Sequence, residues 1–177
     1  NARTESRNLG IKVKGIISVG LFGQPCDMDK IKDLAKTNDL WILDDAAQSF
    51  GSTYKNKLSG NLSEITATSF FPAKPLGCYG DGGALFTNEE HFYKIAYSSH
   101  LHGMGSKKYE YDRIGMNGRI DTIQASILLE KLKIFKSELK LRNEIAQQYK
   151  NKFLDLKTNI KLPTVIPDAT SSWAQFT

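Results

Sequence analysis

Residues 15–47 read GIISVGLFGQPCDMDKIKDLAKTNDLWILDDAA. The run from Gly15 to Phe22 is apolar and β-branched almost throughout, which suits a strand buried on both faces of a parallel sheet. It stops at Gly23 and Pro25. Asp27 then stands as an N-cap, Asp29 adds negative charge to the first turn, and Met28, Ile31, Leu34 and Ala35 make a helical stripe. From Leu40 a second apolar run, LWILDDAA, ends in two carboxylates. Strand, helix and strand in that order form a βαβ unit, so the expected class is α/β with a mostly parallel sheet. Ligands of such folds bind outside the C-terminal strand ends, which makes Asp44, Asp45 and Gln48 candidate site residues by position.

Working outward, ITATSFF (65–71) reads as a third strand and GALFT (83–87) as a fourth, followed by a helix from about Asn88 to Ser98. Beyond a loop containing His100, Gly103 and Gly105, a long helical stretch is expected from near Arg119 to Phe153. Its apolar residues Leu128, Leu132, Phe135, Leu139, Ile145, Tyr149 and Phe153 recur at amphipathic spacings. The last segment, LPTVIPDATSSWAQFT (162–177), resembles the start of a strand with no partner supplied. Together with the opening strand it leads to the expectation that residues are missing on both sides.

The 177 residues are 40% hydrophobic and 24% charged, close to the average for globular domains, with a net charge of +5. No apolar run approaches the roughly 20 residues that cross a bilayer, and Asn1–Gly10 shows no secretory pattern. Between Glu130 and Lys152, seven Lys or Arg meet three Glu. That run reads as the wet face of the long helix, because the stacking aromatics, reading module or strong basic field of a nucleic-acid surface are not evident. Two cysteines, Cys26 and Cys78, suit small buried positions in a reducing, cytoplasmic setting. His91, His100 and His102 have no acidic or thiol companions at ligand spacing, so no metal site is expected.

The chemistry concentrates in SFFPAKPLGCYGDGGALF, residues 69–86. A lysine, Lys74, stands before a proline and a glycine cluster between two apolar strands. It is either an exposed turn residue or a desolvated amine available for Schiff-base chemistry. Glycines 77, 80, 82 and 83 do not match the dinucleotide fingerprint, and an apolar strand follows them rather than a helix. They permit a sharp turn beside a bulky ligand.

Three segments in order, DDAAQSFG (44–51), SFFPAK (69–74) with its glycine run, and GMNGRIDTIQASIL (115–128), resemble the signatures of the DegT/StrS sugar-nucleotide aminotransferases. The resemblance covers nearly the whole chain and implies pyridoxal 5'-phosphate on a fold-type-I, three-layer α/β/α large domain. Residues 1–118 would be the later part of that domain, 119–157 a connecting helical region, and 158–177 the start of a smaller C-terminal domain. Spacing leaves the two carboxylates open, whereas the family form favours Asp45 as the partner of the pyridine nitrogen and leaves Asp44 structural. Gln48 would lie against the ring or its 3′ oxygen, Ser69 would donate to the phosphate, and Lys74 would form the Schiff base and shuttle the proton. Asn117 would reach the cofactor phosphate of a neighbouring subunit in a homodimer, and Arg119 would hold that junction or bind an anionic sugar group.

The reaction implied is transamination of a nucleotide-linked keto-sugar with glutamate as donor, for surface polysaccharide or glycan precursors. The 115–132 stretch looks closest to members acting on 3-keto UDP-N-acetylglucosaminuronate. Alternatives are a sugar dehydratase, whose family form replaces the lysine with histidine, and a non-catalytic regulatory or nucleic-acid-binding protein on the same fold. The family's upstream phosphate loop and stacking aromatic are not in this sequence, so the 177 residues alone are expected to bind cofactor poorly.

Overall fold

The computed structural model describes residues 2–156 and 159–177. The expected boundary between the connecting helix and the smaller domain, at 157–158, lies outside the described residues. Helix α1 (Ala2–Asn8) precedes strand β1 (Gly15–Val19), helix α2 (Met28–Asn38) and strand β2 (Trp41–Asp45). A small hairpin of β3 (Thr53–Tyr54) and β4 (Lys57–Leu58) leads to β5 (Ile65–Ser69), β6 (Gly83–Thr87), α3 (Glu90–His100) and α4 (Thr122–Asp155).

The main sheet runs β1-β2-β5-β6, with β1, β2 and β5 parallel and β6 antiparallel to β5. The fold is therefore mixed α/β around a mostly parallel sheet, as the βαβ pattern predicts. Asp27 caps α2 as expected, accepting from the Lys30 N–H at 3.3 Å, and Met28 and Ala35 are buried. Leu34 departs from the expected stripe and is 55% exposed. The third strand also ends two residues early, at Ser69, because the Phe70 N–H turns to the Gly82 carbonyl at 2.7 Å and closes a loop.

Burial of β1 on both faces is not what the structure shows. Pleating sends Ile16, Ser18, Ile42, Asp44, Thr66 and Thr68 to one face and Ile17, Val19, Leu43, Asp45, Ala67 and Ser69 to the other. Helix α2 packs on the first, where Met28, Ile31, Ile42, Tyr54 and Leu62 cluster and Thr66 is fully buried. The second face is open within this chain, with Ile17 and Val19 60% and 44% exposed. An apolar run alone cannot distinguish the two cases, since both faces of β1 carry β-branched residues.

Helix α4 is continuous over 34 residues. Its buried Leu128 and Phe135 join Phe70, Leu76 and Cys78 in a second cluster, with Phe50 stacked on Phe135 at 5.8 Å between ring centroids. Leu132, Ile145 and Tyr149 are about half exposed, contrary to a fully packed stripe. The distal half of α4 is tied to the C-terminal segment by polar and aromatic contacts instead. Trp173 Nε1 donates to Asn143 Oδ1 at 2.9 Å, and Tyr149 meets Phe176 at 5.2 Å. That segment is not partnerless either: Ser172 N–H donates to the Gly23 carbonyl, and Thr170 bonds to Thr53.

Gly51 lies close against α4. Its φ is +89°, and an added Cβ would lie 2.7–2.8 Å from Leu139 and the Phe135 ring. Gly51→Ala is expected to cost about 1–2 kcal/mol from the left-handed backbone, before any repacking of the ring. Urea unfolding of the 177-residue chain measures this; an unchanged midpoint would show that the turn and helix can move apart.

Candidate functional site

The parallel strands β1, β2 and β5 all finish at the same sheet edge, because Val19 pairs with Asp45 and Asp45 with Ala67. Asp45 is therefore delivered to the C-terminal end of β2 on the open face. Its Oδ1 accepts from the Ala47 N–H at 2.9 Å, which fixes the carboxylate across the following turn. On the adjacent strand, Ser69 lies two residues beyond the pairing partner of Asp45 and shares its face. The Ser69 Oγ accepts from the Phe71 N–H at 3.2 Å, which leaves its own hydroxyl proton to be donated elsewhere.

Gln48 sits just past β2. Its Oε1 accepts from the Phe22 N–H at 2.8 Å, and its carbonyl takes the Ser172 hydroxyl at 2.6 Å. That geometry holds Phe22 in a left-handed conformation, φ +63°, between the Gln48 side chain and the Gln175 N–H. With Oε1 engaged, the Gln48 amide nitrogen is the end that can donate to a ligand.

Lys74 occupies the loop of residues 70–82 between β5 and β6. Its N–H donates to the Phe71 carbonyl at 2.8 Å, and the side chain is half-buried, between the exposed turn and the fully desolvated amine that the sequence allowed. The glycines earn their place by crowding: a Cβ on Gly77 would stand 2.5 Å from the Pro72 carbonyl. The segment Pro75–Cys78 is buried beneath the turn that carries Lys74.

Asn117 and Arg119 are exposed and paired with each other, Arg119 Nε donating to Asn117 Oδ1 at 2.9 Å. The chain bridges Asn117 to Leu101, and the Gly118 N–H to the His100 carbonyl. The structure thus gathers Asp45, Gln48 and Ser69 at one strand edge with Lys74 in the next loop, and sets Asn117 and Arg119 in a separate surface loop. Tyr109 and Tyr111 of that loop are 77% and 63% exposed. Among the described residues no three His, Cys, Asp or Glu gather as a metal site.

Asp44 faces the other way and is 1% exposed. Ser18 Oγ donates to its Oδ1 at 2.7 Å, whereas Oδ2 has no hydrogen-bond partner among the described residues. Burial pushes this carboxyl above the usual range; the Ser18 bond opposes that, the Asp45 charge adds to it, and Lys32 opposes it. Cys26, on the loop before α2, is pushed up by burial and then by the Asp44 charge. The structural role expected of Asp44 fits this setting.

A raised folded value has a definite sign. The folded chain holds the proton more tightly than the unfolded chain, so stability falls as pH rises from the unfolded value, about 3.9, through the folded one. Asp44→Asn keeps an oxygen for Ser18 and cannot ionise. Urea unfolding from about pH 4 to about pH 8 is expected to show the variant gaining on the parent as pH rises. A difference that stays constant over this range would contradict the upward shift of the Asp44 carboxyl.

Asp45 and Ser69 on the open face, with Lys74 in the loop that follows, fit pyridoxal phosphate in kind: a carboxylate for a protonated ring nitrogen, a hydroxyl proton for a phosphate oxygen and a primary amine for an aldehyde. Among the described residues no helix is long and apolar enough to cross a membrane. The basic run on α4 is partly engaged: Lys133 pairs with Glu130, Lys140 with Glu144, and Lys150 lies 4.9 Å from the Trp173 ring.

Residues 2–177 match the family model described as the DegT/DnrJ/EryC1/StrS aminotransferase family. The chain is 46% identical over 167 residues to the UDP-2-acetamido-2-deoxy-3-oxo-D-glucuronate aminotransferase of Pseudomonas aeruginosa, covering 94% of this chain and 45% of that protein. The crystal structure of a DegT DnrJ EryC1 StrS aminotransferase from Brucella abortus superposes with a TM-score of 0.91 at 42% identity, over 98% of this chain and 46% of that one. NtdA from Bacillus subtilis, solved with bound cofactor PMP, gives 0.81 at 30% identity, over 92% and 37%. The chain spans less than half the length of each of these proteins. Because the match extends over both the strand ends bearing Asp45 and Ser69 and the helix after Arg119, the chain belongs to the DegT/DnrJ/EryC1/StrS aminotransferase family.

Proposed function

We propose that this chain carries the cofactor-holding part of a pyridoxal-phosphate-dependent aminotransferase acting on a nucleotide-linked keto-sugar, with glutamate as the amino donor. The observation that carries the reading is the delivery of Asp45 and Ser69 to one face of adjacent parallel strands, with Lys74 in the loop that follows. Pyridoxal phosphate, when bound, supplies an electron sink for the carbon that loses its proton.

Asp45 keeps the ring nitrogen protonated, and Gln48 donates its amide proton toward the ring oxygen. Ser69 donates its hydroxyl proton to the phosphate. Lys74 Nζ would be the amine that holds the cofactor and, once free, the base that would take up and return the proton. Asn117 reaches the phosphate of a second subunit, and Arg119 binds an anionic part of the sugar or holds the junction; their place in an exposed loop supports contact with something outside this chain. A cytoplasmic homodimer serving surface polysaccharide synthesis completes the reading.

The identity to the Pseudomonas aeruginosa enzyme supports a UDP-linked 3-keto glucuronate sugar as substrate. The test uses a protein carrying this chain within the relatives' full length, supplied with pyridoxal phosphate, glutamate and either that sugar or a dTDP-linked 4-keto sugar. Amine in the UDP-linked product, with 2-oxoglutarate formed in equal amount, is the expected result. Amine in the dTDP-linked product alone would reassign the substrate, and loss of a sugar hydroxyl without amine transfer would make the protein a dehydratase.

A further inference from the structure

The loop that carries Lys74 is closed at its base by Phe70 N–H to the Gly82 carbonyl, and internally by Cys78 N–H and Sγ, which reach the Phe70 carbonyl at 2.8 and 3.0 Å. These bonds make it a self-contained turn. They do not join it to the sheet beyond its two ends, so another element must set its attitude.

Helix α4 provides that element. Gln124, Leu128, Lys131 and Phe135 fall at successive steps of four, three and four, one stripe of the helix. Leu128 and Phe135 bury their side chains against Phe70, Leu76 and Cys78. The two polar members of the stripe spend their polar atoms on the same loop. Gln124 Oε1 accepts the Tyr79 N–H at 2.8 Å, and Lys131 Nζ donates to the Gly77 carbonyl at 2.5 Å. The Lys131 ammonium also lies 5.5 Å from the centroid of the Tyr79 ring, within cation–π reach. Gly80 leaves room for this approach, since a Cβ there would stand 3.1 Å from Gln124 Nε2.

Lys131 is half-buried, and among the described residues no carboxylate pairs with it. The ammonium instead donates to one backbone carbonyl of the loop, so this half-buried charge is used to hold the loop. We propose that Gln124 and Lys131 are positioning residues that grip the Lys74 loop on either side of Cys78 and thereby set where the Lys74 amine is presented. This rests on the reading of Lys74 as the cofactor-holding amine.

The test uses Gln124→Met, which keeps side-chain length, and Lys131→Met, which is one atom shorter, with Gln124→Glu and Lys131→Arg as conservative partners that keep the acceptor and the donor. The first measurement is amide hydrogen exchange without cofactor, with Ala46, bonded to the Ala67 carbonyl, as internal reference. Tyr79 is expected to exchange about tenfold faster in Gln124→Met and in Lys131→Met, with Ala46 unchanged and the conservative variants near the parent. The second is the pH midpoint of the absorbance of covalently held cofactor in the full-length protein, which is expected to move in the Met variants, with kcat falling more than KM.

Unchanged Tyr79 exchange, or equal acceleration at Tyr79 and Ala46, overturns the grip. Faster Tyr79 exchange with an unmoved pH midpoint and unchanged kcat overturns the positioning role. If even the unaltered protein holds no cofactor covalently, the reading of Lys74 fails while the exchange result still decides whether the grip exists.

Discussion

Replacing Lys74 with alanine is expected to lower amine transfer by at least about a thousandfold while leaving the fold intact. The size follows from the two roles assigned to one nitrogen: proton transfer by a positioned side chain alone contributes roughly 10²–10⁴, and loss of the tethering amine removes a further route. The fold should survive because the Lys74 backbone bond to Phe71 does not involve the side chain, and the buried part of the loop is Pro75–Cys78. Substitutions away from core and network positions stay within about 0.5 kcal/mol. Single-turnover kinetics on the full-length protein, with unfolding midpoints measured beside them, separate the two effects. Near-normal turnover in Lys74→Ala would remove this lysine from the chemistry.

Asp45→Asn should cost nearly as much, by a different route. The amide keeps an oxygen for the Ala47 N–H, so the turn after β2 is preserved and only the charge is lost. A carboxylate about 4 Å from a cation gains about 4 kcal/mol at an effective dielectric near 20, roughly three decades in the protonation of the ring nitrogen. A spectrophotometric titration of bound cofactor is expected to show the ring nitrogen losing its proton at a lower pH by up to about three units, with kcat falling in parallel. Asp44→Asn is the control, because its side chain lies on the covered face with Ser18. If Asp44→Asn and not Asp45→Asn produced the shift, the assignment of the two carboxylates would be reversed.

The contrast between these neighbours shows what was legible. Pleating sends residues 44 and 45 to opposite faces in any strand, so the alternation could be read from the sequence, but not which face α2 would cover. Only the packing of Met28 and Ile31 against Ile42 decides that Asp44 is the buried one. The βαβ order, the Asp27 cap, the span of β6 and the loop holding Lys74 were legible because each is written in local residue types.

What was not legible depends on distant partners. Gln48 is held by Phe22 and Ser172, the latter 124 residues away, and no periodicity announces such a bond. The C-terminal segment looked like an unpartnered strand for the same reason. On α4, Lys131 falls in the run read as the wet face and Gln124 drew no reading, since a polar residue on a packing stripe is recognisable only once its backbone partners at Gly77 and Tyr79 are in place. Leu34 and Leu132 failed in the opposite sense, being apolar residues at stripe spacing that the structure leaves about half exposed.

The measurement that bears most directly on the site is to reduce the full-length protein with borohydride in the presence of pyridoxal phosphate, digest it, and locate the added mass by sequencing peptides. A single modified peptide with the cofactor on Lys74 is the expected outcome. Modification of a different lysine, or none under conditions where the yellow absorbance is present, would mean that the SFFPAK loop does not hold the cofactor and that the account of this face is wrong.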